Sequence, residues 1–280
     1  MKNSDEIKKM VREKYTEIAT QDKDTNASSC CGSTCCSDEV YHLMADDYSK
    51  LEGYEPGADL GLGCGLPTEF AKIKKGDVVI DLGSGAGNDC FVARAEAGES
   101  GKVIGIDMTE AMIELARKNA EKLNFHNVEF RLGDIEKMPV TSAIADVVVS
   151  NCVLNLVPEK QKAISEIHRV LKPGGHFSIS DIVLKGILPP SLLRTAEMYA
   201  GCISGAIQKE DYLGMVKNAG FENITIQKEK SIHVPDDILN QYLNEAELTE
   251  YKNSGVGIFS ITVYAEKKKE PCCDPELKCC

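Results

Sequence analysis

From residue 76 to residue 183 the chain alternates short, continuous apolar runs with segments of helical periodicity. No other feature limits its possible folds so sharply. The runs Val78–Leu82, Val103–Asp107, Val128–Leu132, Ala145–Ser150 and Phe177–Val183 have the length and β-branched content of buried strands. Helices are expected over about 88–98, 109–123 and 158–171, with Thr109 as an N-cap and Lys172-Pro173-Gly174-Gly175 as a stop. Strands buried on both faces and joined by helical crossovers require parallel pairing with right-handed connections. The fold expected is therefore α/β, with a doubly wound, mostly parallel sheet.

Downstream, helices are expected near 189–200, 208–219 and 236–247, and strands near 222–233 and 257–265. The two late strands suit an antiparallel edge pair. Upstream, Ile7, Met10, Val11, Tyr15 and Ile18 recur at helical spacing and predict an amphipathic helix over 4–20. Residues 21–38 are polar and cysteine-rich without periodicity, and 39–70 are loops, glycine-rich around Gly53–Gly65. Three parts follow: residues 1–70 as a cap over the site, 71–266 as the sheet domain, and 267–280 as a cysteine-rich tail, disordered by composition.

Lysine and arginine number 32 against 44 acidic residues, a net charge of −12. A surface for nucleic acid or an anionic membrane needs clustered positive charge, so neither partner is expected. The short run Lys267-Lys268-Lys269 is flanked by Glu266 and Glu270 and reads as a solvated tail. There is no apolar stretch of signal-peptide or membrane-spanning length. A cytoplasmic protein with reduced thiols is the expectation.

That matters because the chain has twelve cysteines. Eight form vicinal pairs, Cys30-Cys31, Cys35-Cys36, Cys272-Cys273 and Cys279-Cys280, while Cys64, Cys90, Cys152 and Cys202 are single. Soft sulfur in a reducing compartment points to metal, metalloid or redox chemistry rather than to structural disulfides. The C-C-x-x-x-C-C spacing is not a usual zinc pattern. Zinc binding, metalloid gathering and inertness all stay open for the paired cysteines. Cys90, on the helix after the first strand, reads as core. His42, His126, His168, His176 and His233 share no motif.

The segment Asp81-Leu82-Gly83-Ser84-Gly85-Ala86-Gly87-Asn88-Asp89 directly follows the first strand. Its glycines permit a tight turn and let a ligand approach backbone amides at a helix start. The spacing is G-x-G-x-G, whereas nicotinamide dehydrogenases use G-x-G-x-x-G. Asp107 closes the second strand, placed to accept from ribose hydroxyls. Asp134, in Gly133-Asp134-Ile135, follows the third, where an adenine edge would lie. This series resembles the class I S-adenosylmethionine methyltransferases over residues 70–185. The resemblance implies cofactor contacts from Asp81, Gly83, Ser84, Gly85, Gly87, Asp107, Met108, Asp134, Ile135 and Asn151.

In such enzymes the residues after strand four usually face the transferred methyl. Here they are Ser150-Asn151-Cys152-Val153-Leu154-Asn155-Leu156-Val157-Pro158, with a thiol where other classes place an acid, a base or an aromatic clamp. Together with Gly63-Cys64-Gly65-Leu66, Asp89-Cys90 and Gly201-Cys202-Ile203-Ser204-Gly205-Ala206, this is similar to the arsenic(III) methyltransferases over residues 28–220. The resemblance implies that Cys64, Cys152 and Cys202 bind trivalent arsenic as thiolates. It also implies that Cys30 joins a disulfide relay, with Cys31 as the alternative. The substrate would be arsenite or its thiol adducts, and glutathione or thioredoxin would restore the cysteines. Animal members have a tyrosine shortly before the first ligand cysteine, where this chain reads Leu60-Gly61-Leu62-Gly63. A quinone-type carbon methyltransferase and a non-enzymatic metalloid-binding protein are the alternative readings.

Overall fold

The computed structural model describes residues 3–20, 46–187, 205–232, 240, 243–253 and 256–269. Their sheet has eight strands: β1 (Val78–Leu82), β2 (Lys102–Asp107), β3 (Val128–Leu132), β4 (Ala145–Asn151), β5 (Leu171–Lys185), β6 (Ile207–Gln208), β7 (Phe221–Ile232) and β8 (Gly257–Lys267). They lie in the order β3-β2-β1-β4-β5-β8-β7, with β6 pairing to β5. β1 pairs in parallel with both β2 and β4, so the strand order reverses at β1. Crevices at such reversals, beyond the carboxyl ends of the strands, are where ligands of doubly wound sheets bind.

Alternate residues of the central strands feed two cores. Ile80, Leu82, Ile104, Ile106 and Val148 pack with Ile164 and Ile167, and with Tyr212 and Val216 further on. Val79, Val103, Val147 and Val149 pack with Phe91, Ala93, Ile113 and Ala116. The helices that supply these side chains are α2 (Asn88–Ala97), α3 (Glu110–Lys122), α4 (Lys160–Val170) and α5 (Lys209–Asn218). Covering both faces explains why the strands read as continuous apolar runs. A third cluster sits over the strand ends and joins Val11, Cys64, Cys152, Leu156, Ile182 and Ile258.

The helix expected over 4–20 is α1 (Ser4–Ala19), held at its start by a capping box in which Asn3 and Glu6 exchange side-chain and backbone hydrogen bonds of 2.8 Å. Thr109 occupies the N-cap of α3, but its hydroxyl turns to Asp107 instead of capping the helix. The late strands are antiparallel, with β8 inserted between β5 and β7. Lys172–Gly175, expected only to stop a helix, also opens β5. Gly174 there has φ 81°, and the β4–β5 register shifts to absorb it. The last described helix, α6 (Glu245–Asn253), begins later than the expected 236–247. The helix expected near 189–200 and the tail from 270 lie outside the described residues. No described helix is long and apolar enough to cross a membrane.

One buried polar knot ties β5 to the loop after β4. Asp181 is fully buried and accepts the Tyr212 hydroxyl at 2.8 Å. Asn155 Nδ2 donates to the Ile182 carbonyl at 2.9 Å, and Lys160 Nζ donates to the Val157 carbonyl at 3.1 Å. Burial pushes the Asp181 carboxyl up to about 7, against the opposing effects of the Tyr212 hydrogen bond and the Lys160 charge. Because its folded value is raised, this group stabilises fully below its unfolded pKa, and the contribution fades as pH rises through about 7. Asp181→Asn should therefore flatten the loss of stability between about pH 5 and about pH 8 by roughly 2 kcal/mol, measured by denaturant unfolding. An unchanged slope would mean that Asp181 is ordinarily ionised.

Candidate active site

The carboxyl ends of β1 to β4 open into one cleft enclosing about 1080 Å³, open solvent included. Each strand end supplies part of the wall. Asp81 and Gly83–Ala86 come from β1 and its loop, and Asp107, Met108 and Thr109 from β2. Gly133, Asp134 and Ile135 follow β3, and Asn151, Cys152 and Val153 follow β4. α1 adds Lys8, Val11 and Tyr15 as a cover.

The glycine loop is shaped by its backbone. Gly83 N and Ser84 N both donate to the Ile106 carbonyl, at 2.7 and 3.0 Å, folding the loop back onto β2. Gly83 has φ 66°, and a Cβ there would run into the Val153 side chain. Gly85 N donates to Asp107 Oδ2 at 3.0 Å, and Thr109 N to Asp107 Oδ1 at 2.8 Å. Gly87 is not part of the cleft wall. It makes room for Phe91 and Phe130 beneath the loop.

Five carboxylates line this cleft: Asp59, Asp81, Asp89, Asp107 and Asp134. Among the described residues the one ammonium in the wall, Lys8, bridges Asp134 and Glu136 and so is already balanced. Burial raises Asp81 well above the carboxylate range, with repulsion from Asp89 adding to it. Burial also raises Asp107, and takes Asp89 to about 6 against the pull of hydrogen bonds from Tyr48 and Asn151. Such a field favours a cationic ligand, because each carboxylate gains when a positive charge enters. Among the described residues, Ser84 Oγ and Asn88 Oδ1 are buried in the wall with no hydrogen-bond partner. S-adenosylmethionine carries a sulfonium, an ammonium and hydroxyl groups that answer both features. The residues present fit it.

Two expectations need qualification. Asp134 does not offer a bare carboxylate to an adenine edge, since Oδ2 takes Lys8 at 2.7 Å and Oδ1 takes Glu136 N at 2.9 Å. Cys90 is buried in the core as expected, yet its thiol also donates to Asp81 Oδ2 at 3.2 Å. Its pKa is pushed up by burial and by the adjacent carboxylate, so it is no nucleophile.

Cys64 and Cys152, 88 residues apart, meet at the edge of the cleft with Cα atoms 5.7 Å apart. The expectation of free thiolates is not what the structure holds, because the two sulfurs are joined as a disulfide. Cys152 turns the chain sharply off β4 with φ 61°, a left-handed conformation that costs a non-glycine residue about 1–2 kcal/mol. Its amide is anchored to the Ser180 carbonyl at 2.7 Å. Cys30, Cys31 and Cys202 lie outside the described residues.

Sequence reasoning missed a buried cluster behind this pair. The Tyr48 hydroxyl contacts both oxygens of Asp89 at 2.9 Å, and the Asn151 amide reaches Tyr48, Asp89 and the loop carrying Cys64. Tyr48 sits in a loop without periodicity, so nothing in its neighbourhood signalled burial. Lys8 and Tyr15 had a signal, since they flank Val11 on one helical face.

A family model described as a methyltransferase domain matches residues 73–220. The arsenite methyltransferase of Halobacterium salinarum is 39% identical over 279 residues, covering 95% of this chain and 68% of that protein. The mouse arsenite methyltransferase is 32% identical over 79% of this chain and 59% of its own. A crystal structure of an arsenic(III) S-adenosylmethionine methyltransferase from Chlamydomonas reinhardtii superposes with TM-score 0.63 at 31% identity, covering 83% of this chain and 74% of that one.

Two outcomes follow from the cleft. Gly83→Ala forces Val153 aside and should weaken S-adenosylhomocysteine binding at least ~10-fold by titration calorimetry, with a fold that stays intact by circular dichroism. Affinity for S-adenosylmethionine should rise roughly three- to tenfold from about pH 5.5 to about pH 7.5, as Asp89 ionises, and more than affinity for uncharged-sulfur S-adenosylhomocysteine. Parallel pH profiles for the two ligands would show that the carboxylates do not act on the sulfonium.

Proposed function

The chain belongs to the arsenite methyltransferases, S-adenosylmethionine-dependent enzymes built on a class I methyltransferase domain, and from that membership we propose that it methylates trivalent arsenic held by the thiolates of Cys64, Cys152 and Cys202. One observation supports this most: two cysteines far apart in sequence converge at the cleft edge, within bridging distance of one another.

S-adenosylmethionine supplies an electrophilic methyl group on a sulfonium. The cleft residues proposed to hold it are Asp81, Gly83, Ser84, Gly85, Asp107, Met108, Asp134 and Ile135. Their carboxylates balance its positive charge, and the α1 residues Val11 and Tyr15 exclude water from above. Trivalent arsenic is soft, takes three sulfur ligands in a pyramid and keeps a lone pair. That lone pair needs no proton removed before it accepts a methyl, which suits an acceptor side built from thiols instead of a histidine base.

Methylation at the lone pair raises the formal oxidation state of arsenic by two. When the As–S bonds to two of the ligand thiolates break and an S–S bond forms between those sulfurs, the two electrons return to arsenic and it is trivalent again; Cys64–Cys152 is such a pair in its oxidised form. Each turnover then requires an external thiol, glutathione or thioredoxin, to reopen the pair, with Cys30 or Cys31 as the relay partner. The three-part layout of cap (1–70), catalytic domain (71–266) and cysteine-rich tail (267–280) belongs to the same proposal.

Purified protein with S-adenosylmethionine, arsenite and a thiol reductant should yield methylated arsenicals detectable by mass spectrometry. Cys152→Ser should slow this at least ~10-fold, and omission of the thiol should stop it after about one turnover. Arsenic bound without turnover would favour a sequestering protein. Methylation of a quinone precursor that survives loss of Cys64 and Cys152 would favour a carbon methyltransferase.

A further inference from the structure

The side chain of Asn151 faces the cleft, and the family resemblance makes it a cofactor contact. Its hydrogen bonds point elsewhere. Oδ1 accepts the Cys64 backbone N–H at 2.9 Å, and Nδ2 donates to the Gly65 carbonyl at 2.8 Å. The same Nδ2 reaches the Tyr48 hydroxyl and, at 3.3 Å, Asp89 Oδ2. The amide thus spans two consecutive residues of the opposing loop, the N–H of Cys64 and the carbonyl of Gly65. A Cβ on Gly63 would approach Asn151 Nδ2 to 2.6 Å, so the loop comes this close only because residue 63 is glycine.

The rest of the Cys64 main chain is held equally firmly. Ser260 Oγ, from β8, donates to the Cys64 carbonyl at 2.5 Å. The Tyr48 hydroxyl approaches the Gly65 carbonyl at 3.2 Å. A Cβ on Gly65 would collide with Ser180 Oγ at 2.6 Å, and Ser180 is the residue whose carbonyl anchors the Cys152 amide. Both cysteines are therefore referenced to one register pair, Asn151 of β4 and Ser180 of β5, Cys64 through the Asn151 amide and Cys152 through the Ser180 carbonyl.

We propose that Asn151 and Ser260 are positioning residues for Cys64, which set the readiness of its sulfur to pair with Cys152 and leave cofactor affinity to the glycine loop and its acids. Asp89 and Tyr48 orient the Asn151 amide, since a carboxylate beside Nδ2 disfavours the flipped rotamer that would present Oδ1. The intramolecular thiol pair benefits from this because fixing both partners raises their effective concentration. The claim on the thiol pair stands on geometry alone. Its extension to arsenic affinity rests on the function proposed above.

The test uses the full-length protein and two variants, Asn151→Ala and Ser260→Ala, equilibrated in glutathione redox buffers. Differential alkylation and peptide mass spectrometry read the Cys64–Cys152 disulfide. Asn151→Ala should lower its equilibrium constant roughly tenfold or more, and Ser260→Ala roughly threefold or more. S-adenosylhomocysteine affinity should stay within about twofold of the parent for both. Arsenite affinity of the reduced variants should fall in parallel with the disulfide constant.

An unchanged disulfide constant in both variants overturns the proposal. Weakened S-adenosylhomocysteine binding with normal disulfide formation would restore Asn151 to the cofactor site. Should Asn151→Ala fail to fold, Ser260→Ala decides alone, because it removes one oxygen from a strand outside the cleft wall. A shifted disulfide constant with unchanged arsenite affinity upholds the positioning role and overturns the arsenic reading instead.

Discussion

The parallel pairing of β1 with β4 is the constraint on which the rest depends. It places the order reversal at β1, and so opens a crevice between two strand ends whose following loops diverge. From one side of it comes the glycine loop, from the other the Asn151-Cys152-Val153 turn. Neither loop is a site by itself. Gly83 and Val153 touch across the crevice, which means that the cofactor wall and the cysteine wall share one boundary.

Electrostatics give that crevice its direction. Asp81 is buried with the half-buried Asp89 and Asp107 nearby, and all three are raised from the ordinary carboxylate value. A set of acids so arranged costs the empty protein stability, because ionising each one in a dry site opposes the next. The cost is recovered when a cation enters. The same field is unhelpful to an anion, and the chain as a whole carries a net charge of −12. A cationic methyl donor is drawn in, and the product that has lost its sulfonium charge is held less firmly by the same carboxylates.

The sheet was legible in the sequence because buried parallel strands have a short, continuous apolar signature, and β1 to β4 match it within a residue or two. The acids at the strand ends were legible for the same reason: Asp81, Asp107 and Asp134 are read as soon as the strands are. What was not legible is what depends on chain folding over long separations. Tyr48 and Ser260 lie in segments with no pattern pointing at Cys64, yet both reach its loop. The extra length of β5 was hidden because Pro173-Gly174-Gly175 has the composition of a turn, and only the register shift against β4 lets it pair. The bond between Cys64 and Cys152 was hidden too. Each cysteine was visible as a candidate ligand, but their separation of 88 residues says nothing of distance until the sheet order is known.

That bond also fixes how the two walls of the cleft meet. Cys152 is held in a left-handed turn between Asn151, whose amide is committed to the Cys64 loop, and Val153, whose side chain fills the space left by the missing Cβ of Gly83. The cysteine wall and the cofactor wall therefore meet at a single backbone turn, Asn151 to Val153, at the end of β4.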